Sequence, residues 1–176
     1  MSHIQEVYAS TVHDANDYWD DKHYNISKLG KIGISSIKSL LSAKIISAEK
    51  SGIALNVEVP DKIEATYLPE LDLLLLMSIF CDNAIEAALE AKVPRMSIAY
   101  FLLDDQQVFA VTNSTKEKVN ITKVFEEGYS SKGSGRGIGL ANAQRIIQKY
   151  PQLGLRTQSY RHQFSQTLTI PKVEGS

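Results

Sequence analysis

Hydrophobic and polar positions follow two different spacings along the chain, and these spacings predict its elements. Apolar residues that recur every three or four positions predict helices, whereas strict alternation predicts strands. The predicted helices cover residues 2–23, 37–51, 70–92 and 138–150. The predicted strands cover residues 53–59, 97–103, 107–112, 153–160 and 163–170. Helices followed by a mixture of strands and helices favour a layer of helices on a sheet, with a helical appendage at the N-terminus.

Turn-forming residues mark the ends of these elements. Gly52 ends the second predicted helix, and a hairpin turn is predicted at residues 104–106. Residues 25–33 contain two glycines and are predicted to be a connection. The polar, glycine-rich segment 114–137 is too long for an ordinary connection, and such segments are usually functional lids or disordered. In the third predicted helix the core-facing residues are expected to be Leu71, Leu74, Leu75, Ser78, Cys81, Ile85 and Leu89.

Composition and charge exclude several classes of protein. The 176 residues include 19 basic and 20 acidic side chains, and the net charge of −1 argues against sequence-independent nucleic-acid binding, which needs a basic face. A single cysteine, Cys81, rules out an internal disulfide and a multi-cysteine zinc site. The longest apolar run is far shorter than the roughly 18 residues of a spanning helix, and the first residues do not resemble a signal peptide.

Asn83 is an unusual residue in the middle of an otherwise apolar helix. A buried amide without a partner costs roughly 1–3 kcal/mol, and Glu86 lies one turn further on, on the same face. An amide oxygen on a rigid helix is a suitable ligand for Mg²⁺, which prefers oxygen. The alternative is that both side chains lie at a helix–loop contact or in solvent.

A second unusual stretch, residues 130–140, leads into the last predicted helix. Its glycines fall on alternate positions and let the backbone approach a ligand, while the helix N-terminus offers unpaired N–H groups suited to phosphate. Lys132 and Arg136 add positive charge. The stretch lacks the spacing of a P-loop or of a dinucleotide fingerprint, and a flexible loop has a similar composition. The four glycines are Gly133, Gly135, Gly137 and Gly139.

The order of these motifs is more specific than either motif alone. Residues 83–87, Asn-Ala-Ile-Glu-Ala, are followed by a hairpin, a long lid segment and Gly-Arg-Gly-Ile-Gly-Leu at residues 135–140. This arrangement resembles the GHKL superfamily of ATP-binding domains, which includes histidine kinases, gyrase, Hsp90 chaperones and MutL proteins. The resemblance implies an α+β two-layer sandwich, the Bergerat fold, in which a mixed sheet packs on about three helices and a helical remnant of a dimerisation domain precedes it.

Residues 124–133 narrow the resemblance further. They are similar to the lid of the peptide-pheromone-sensing histidine kinases of Gram-positive bacteria, and residues 40–45 with Gly52-Ile53 resemble the segment that joins their dimerisation helices to the catalytic domain. Asp17-Tyr18-Trp19 resembles part of the second dimerisation helix. The implied division is a partial dimerisation helix with its connection at 1–33, the catalytic domain at 34–172 and a tail at 173–176.

The resemblance also implies roles for individual residues, with ATP and Mg²⁺ as cofactors. Asn83 would be the Mg²⁺ ligand, Phe125 would anchor the lid, and Asn113 falls where most histidine kinases have the aspartate that binds adenine. A turn residue that ends a strand is the alternative for Asn113. An Asn oxygen still accepts from the adenine amino group, but its NH₂ also donates, so we expect weaker base selectivity. The other expected nucleotide-binding residues are Glu86, Lys132, Gly133, Gly135, Arg136, Gly137, Ile138, Gly139 and Leu140.

Two further positions indicate a kinase fragment. In the gyrase, Hsp90 and MutL branch a Glu one helical turn before the Mg²⁺ ligand activates water; here that position is Ile79, which favours a kinase over an ATPase. The first dimerisation helix, which carries the phosphoacceptor histidine, is expected to be missing, so the chain would bind ATP without phosphorylating itself. The histidines present are His3, His13, His23 and His162, of which His13, His23 and His162 are expected to lie on the surface. His13 is followed by Asp14, as in a phosphoacceptor site, and that role is the alternative for it.

The resemblance implies a larger signalling protein. It would be a bacterial plasma-membrane receptor with a pheromone sensor outside this chain, a cytoplasmic catalytic domain, a homodimeric state and a response regulator as partner, and this fragment would be soluble. Two alternatives stay open at this point. One is an anti-sigma-factor serine kinase of the same fold, and the other is a degenerate nucleotide-binding scaffold that signals by conformation alone.

Overall fold

The helices and strands are taken from a computed structural model that describes residues 24–116 and 136–173. In these parts the helices are α1 (Tyr24–Ser27), α2 (Ser35–Lys50), α3 (Glu70–Glu90) and α4 (Arg136–Gln148), with a 3₁₀ turn at Lys28–Lys31. The strands are β1 (Ala54–Glu58), β2 (Arg95–Leu103), β3 (Gln106–Ser114), β4 (Gly154–Tyr160) and β5 (Gln163–Pro171). The predicted helix over residues 2–23 lies outside the described residues.

The five strands form one mixed sheet in the order β1-β2-β3-β5-β4. β1 and β2 are parallel, and their connection contains α3, as a parallel pair requires a crossover. The other neighbours are antiparallel, and the hairpins β2–β3 and β4–β5 turn at residues 104–105 and 161–162. The sheet therefore begins as a βαβ unit and closes with two hairpins.

Three helices cover one face of this sheet and enclose the core. α3 packs against β3 and is flanked by α2 and α4. Inward residues of β5 alternate with outward threonines, and Phe164, Leu168 and Ile170 join side chains of all three helices in one cluster. The predicted mixed sheet on about three helices is thus confirmed. Gly52 follows α2 with a φ of 86°, a conformation that suits glycine, so its predicted role at the helix end is confirmed.

The predicted core face of α3 is mostly wrong. Leu71, Leu75 and Leu89 are 69%, 44% and 45% exposed, while Leu74 and Ser78 are half-buried. Only Cys81 and Ile85 of the predicted set are buried. The helix buries instead Leu73, Leu76, Met77, Phe80, Ala84 and Ala88. The reason is that apolar residues lie on every side of this helix, so their spacing does not define its orientation against the sheet.

A buried glutamine fixes the connection between β1 and α3. Gln107, 1% exposed, accepts hydrogen bonds at Oε1 from Tyr67 N and from the Tyr100 hydroxyl, each at 3.2 Å. Its Nε2 donates to Ala65 O at 2.6 Å. Asp61 in the same connection accepts from Leu102 N at 2.8 Å, where β2 extends past the end of β1. These bonds hold the chain that leads into α3.

We expect Gln107→Ala to lower the free energy of unfolding by roughly 3 kcal/mol, because the buried Tyr100 hydroxyl and two part-buried backbone groups lose their partner. Urea denaturation measures this change. Gln163→Ala, at an exposed position of β5, is the matched control and should change stability by less than about 0.5 kcal/mol. Equal effects of the two substitutions would contradict the assignment.

One hydrogen bond joins the start of α3 to the chain just after α4. The Tyr150 hydroxyl donates to Asp72 Oδ2. This bond to a carboxylate raises the pKa of Tyr150 above its usual value, since ionisation of the phenol would break it. The contact sets how α4 lies along α3, antiparallel to it.

The Tyr150–Asp72 bond predicts a pH dependence of stability. A tyrosine pKa raised in the folded state means that the bond stabilises fully below the unfolded pKa of about 10 and is lost as pH rises through the folded pKa. We expect the stability advantage of wild type over Tyr150→Phe to shrink as the pH rises above about 10. It should disappear once Tyr150 is ionised in the folded state. Urea denaturation of both proteins from pH 8 upward tests this, with Tyr160→Phe as the exposed control. A pH-independent difference would contradict it.

Candidate functional site

Asn83 lies where α3 meets the first turns of α4. A Cβ placed on Gly139 would lie 3.9 Å from both Nδ2 and Oδ1 of Asn83, and 3.7 Å from Cγ2 of Ile79. Asn83 Nδ2 is buried, and no acceptor for it occurs among the described residues. The amide therefore lies against the backbone near the N-terminus of α4, with a donor that still needs an acceptor.

The position of this amide fits a metal-bound phosphate. The start of a helix carries positive partial charge and unpaired N–H groups, which favour anions, and α4 begins at Arg136. An oxyanion near Asn83 would accept from Nδ2, while Oδ1 is the kind of oxygen ligand that Mg²⁺ prefers. In the parts of the chain that the structure describes, no three His, Cys, Asp or Glu side chains converge on a metal site. Asn83 and Gly139 are the predicted residues that the structure brings together.

The side chains around Asn83 are either apolar or already paired. Ile79, one turn earlier, is half-buried against Gly139, so no carboxylate lies at that position to activate water. Asp82 is held by Lys44, with Nζ 2.6 Å from Oδ1. Burial raises the pKa of the Cys81 thiol to about 12, which keeps it protonated. Glu86 is half-buried one turn after Asn83.

Asn113 lies inside a strand and not in a turn. It is the eighth residue of β3, is 2% exposed, and stands opposite Met96 on β2 and Phe164 on β5. The alternative of a turn residue is therefore wrong. Its Nδ2 donates to Ser114 O at 3.0 Å. One of the two N–H groups of the amide is engaged in this way, which orients the side chain on the helix-covered side of the sheet with Oδ1 as its acceptor.

The structure describes only part of the predicted glycine-rich site. Arg136, Gly137 and Ile138 form the first turn of α4, so the helix begins two residues before the predicted start. Leu140 is 7% exposed and packs in the core. His162 is exposed in the β4–β5 turn, as expected. The predictions for Lys132, Gly133, Gly135 and Phe125 lie outside the described residues.

A polar pair on β4 and β5 was not predicted from the sequence. Gln166 is 3% exposed and Thr157 stands directly opposite it, and Gln166 Nε2 and Thr157 Oγ1 are buried without a partner among the described residues. The sequence feature that could have indicated this pair is a glutamine at an inward position of β5, between Phe164 and Leu168. Alternation alone does not distinguish a functional amide from an irregular core position.

Comparison with known proteins assigns the family. Residues 68–171 match the family model described as a GHKL domain, which is more than half of the chain. The chain belongs to the GHKL family. The sensor protein CitS of Bacillus subtilis (strain 168) is 32% identical over 125 residues, which are 69% of this chain and 21% of CitS. This GHKL domain therefore spans about a fifth of the length of that relative.

Solved structures support the same fold. The catalytic domain of the histidine kinase ThkA superposes with a TM-score of 0.64 at 18% identity, covering 78% of this chain and 92% of ThkA's domain. The Acinetobacter baumannii histidine kinase AdeS gives a TM-score of 0.61 at 12% identity, covering 78% of this chain and 64% of AdeS. The expectation of a histidine-kinase-type ATP-binding fold is confirmed.

The contact at Gly139 leads to a prediction about two glycines. A methyl group fits at Gly139 in ordinary van der Waals contact, so Gly139→Ala should raise the free energy of unfolding by up to about 1 kcal/mol by favouring the helix. Gly52→Ala has open space but a φ of 86°, so it should lower stability by about 1 kcal/mol. Thermal denaturation measures both changes. A strong loss of stability in Gly139→Ala would show that the α3–α4 contact is tighter than described.

Proposed function

We propose that this GHKL domain is the ATP-binding catalytic domain of a sensor histidine kinase, which transfers the γ-phosphate of ATP to a histidine outside this chain. The observation that carries the proposal is Asn83. Its buried Nδ2 has no acceptor among the described residues and lies against the first turns of α4. A buried donor without an acceptor is costly in a protein that binds nothing there.

Each part of the nucleotide has a candidate partner. Asn83 binds Mg²⁺ and orients the phosphates, and the start of α4 with Gly137 and Gly139 binds phosphate oxygens. Lys132 and Arg136 neutralise charge on the terminal phosphate, and Asn113 accepts from the adenine amino group. Bound Mg²⁺ supplies charge neutralisation to the phosphoryl group. The remaining expected contacts are Glu86, Gly133, Gly135, Ile138 and Leu140, with Phe125 as the anchor of the lid.

The surroundings of Asn83 favour phosphoryl transfer over hydrolysis. Phosphoryl transfer depends mainly on positioning and charge neutralisation, whereas a GHKL ATPase needs a base that activates water. Ile79 occupies the position of that base and is packed against Gly139. ATP held here reacts with an acceptor that another segment supplies.

The whole protein would be a membrane-bound receptor of the peptide-pheromone type. Its homodimer, its pheromone-binding segment and its response regulator remain parts of the proposal, as do the domain bounds 1–33, 34–172 and 173–176. ThkA, whose complex with the response regulator TrrA superposes on this chain with a TM-score of 0.63 at 16% identity, supports a response regulator as partner. No helix in the described ranges is long and apolar enough to cross a bilayer.

Calorimetric titration of Mg²⁺–ADP tests the nucleotide site. We expect saturable binding to the wild-type chain and at least about tenfold weaker binding to Asn83→Ala, because that variant loses a metal ligand and a phosphate donor. Asn142→Ala is the matched control, since Asn142 is exposed on α4 and bonds only to Arg145 in the described contacts. Its affinity should equal that of wild type.

Two results would contradict this proposal. One is no binding of millimolar Mg²⁺–ADP by the folded wild-type chain. The other is equal affinity in wild type and Asn83→Ala. Phosphoryl transfer from ATP to a separately supplied dimerisation helix bearing the acceptor histidine then separates a kinase from a scaffold that only binds nucleotide.

A further inference from the structure

Two amide side chains lie close together on the helix-covered face of the sheet. Asn113 of β3 stands opposite Phe164 of β5, and Gln166 of β5 stands opposite Val111 of β3. Asn113 and Gln166 are therefore diagonal neighbours. Diagonal positions on adjacent strands have Cβ atoms about 7–8 Å apart, which is within reach of one planar ligand for long side chains.

The two amides offer opposite hydrogen-bonding groups. The bond from Asn113 Nδ2 to Ser114 O engages one of its two N–H groups and orients the amide, and Oδ1 is its acceptor for a ligand. Gln166 is 3% exposed, and its buried Nε2 has no acceptor among the described residues. The pair therefore presents an acceptor on Asn113 and a donor on Gln166.

An acceptor beside a donor is complementary to adenine and not to guanine. Adenine presents the N6 amino donor next to the N1 acceptor, whereas guanine presents the O6 acceptor next to the N1–H donor. A site with buried polar groups rejects the base that leaves them unpaired. Guanine would place an acceptor against Asn113 Oδ1 and a donor against Gln166 Nε2.

We propose that Gln166 is a base-specificity residue of this domain, whose Nε2 donates to N1 of adenine, directly or through one ordered water. This inference rests on the proposed nucleotide site, in which Gln166 would recognise the base together with Asn113. It would also let an asparagine at position 113 select adenine, because the bond to Ser114 O orients its amide and Gln166 supplies the second hydrogen bond to the base. A base is thereby read by side chains from two neighbouring strands.

A purely structural role is the competing explanation. Thr157 stands opposite Gln166, and its Oγ1 is also buried without a partner among the described residues. One internal water shared by Gln166 and Thr157 would satisfy both groups without any nucleotide. The two explanations make different predictions. Only a base-specificity role requires Gln166 for the protein to distinguish a nitrogen from a C–H group at position 1 of the base.

The test combines a change in the protein with a change of one atom in the ligand. Mg²⁺–ADP and Mg²⁺–1-deaza-ADP, in which N1 is replaced by C–H, are titrated into wild type and into Gln166→Met, which keeps the length of the side chain but removes the donor. We expect wild type to bind 1-deaza-ADP about tenfold more weakly than ADP. Gln166→Met should bind both ligands with the same, weakened affinity, because the lost interaction is the same one.

Thr167→Val is the matched control, since Thr167 lies on the opposite face of β5. It should preserve the wild-type preference for ADP over 1-deaza-ADP. Equal binding of the two ligands by wild type would overturn the inference even if Gln166→Met failed to fold. A folded Gln166→Met that keeps the wild-type preference would overturn it in favour of the shared water. Failure of the proposed function is distinct, because wild type would then bind neither ligand.

Discussion

The close approach of α3 and α4 is the contact on which the site depends. A Cβ at residue 139 would already be in van der Waals contact with the Asn83 amide and with Ile79, so the backbone of α4 lies close against that amide. That approach buries the amide donor and brings the start of a helix beside it. A polar group is thus placed at the one end of α4 where an anion is stabilised. The Tyr150–Asp72 bond at the other end of α4 fixes the same two helices.

The sheet contributes polar groups of a different kind. Most inward positions of β3 and β5 are apolar and form the core, but Asn113, Gln166 and, on β4, Thr157 interrupt that layer. Gln107 is also a buried amide, yet both its oxygen and its nitrogen have hydrogen-bond partners, which are Tyr67 N and the Tyr100 hydroxyl for the oxygen and Ala65 O for the nitrogen. Gln107 therefore stabilises the fold, whereas Gln166 and Thr157 keep buried hydrogen-bonding groups that have no partner among the described residues. Binding sites are where such capacity is expected.

The hydrophobic pattern of helix α3 does not show which of its faces is buried. It lies between α2 and α4 and over the sheet, so three of its sides meet apolar neighbours. Such a helix carries leucines in nearly every direction, and Leu71 and Leu75 remain exposed although their spacing is that of a core face. The orientation follows from the volume that Phe80, Met77 and Leu73 fill against the sheet. That is a property of the packed layers and not of the helix by itself.

The sequence by itself determined the family and the order of the strands and of α2, α3 and α4, and it identified Asn83 and Asn113 as candidates, because these depend on local spacing and on short motifs. Ile79 was also placed correctly, since its relation to Asn83 is one helical turn. Only the tertiary structure decided which side of α3 is buried, that the Asn113 amide donates to Ser114 O, and that Gln166 lies diagonally beside it. Those outcomes depend on strand register and on helix packing, which join residues far apart in the chain. No local pattern encodes which distant backbone carbonyl will satisfy an amide and which amide will be left for a ligand.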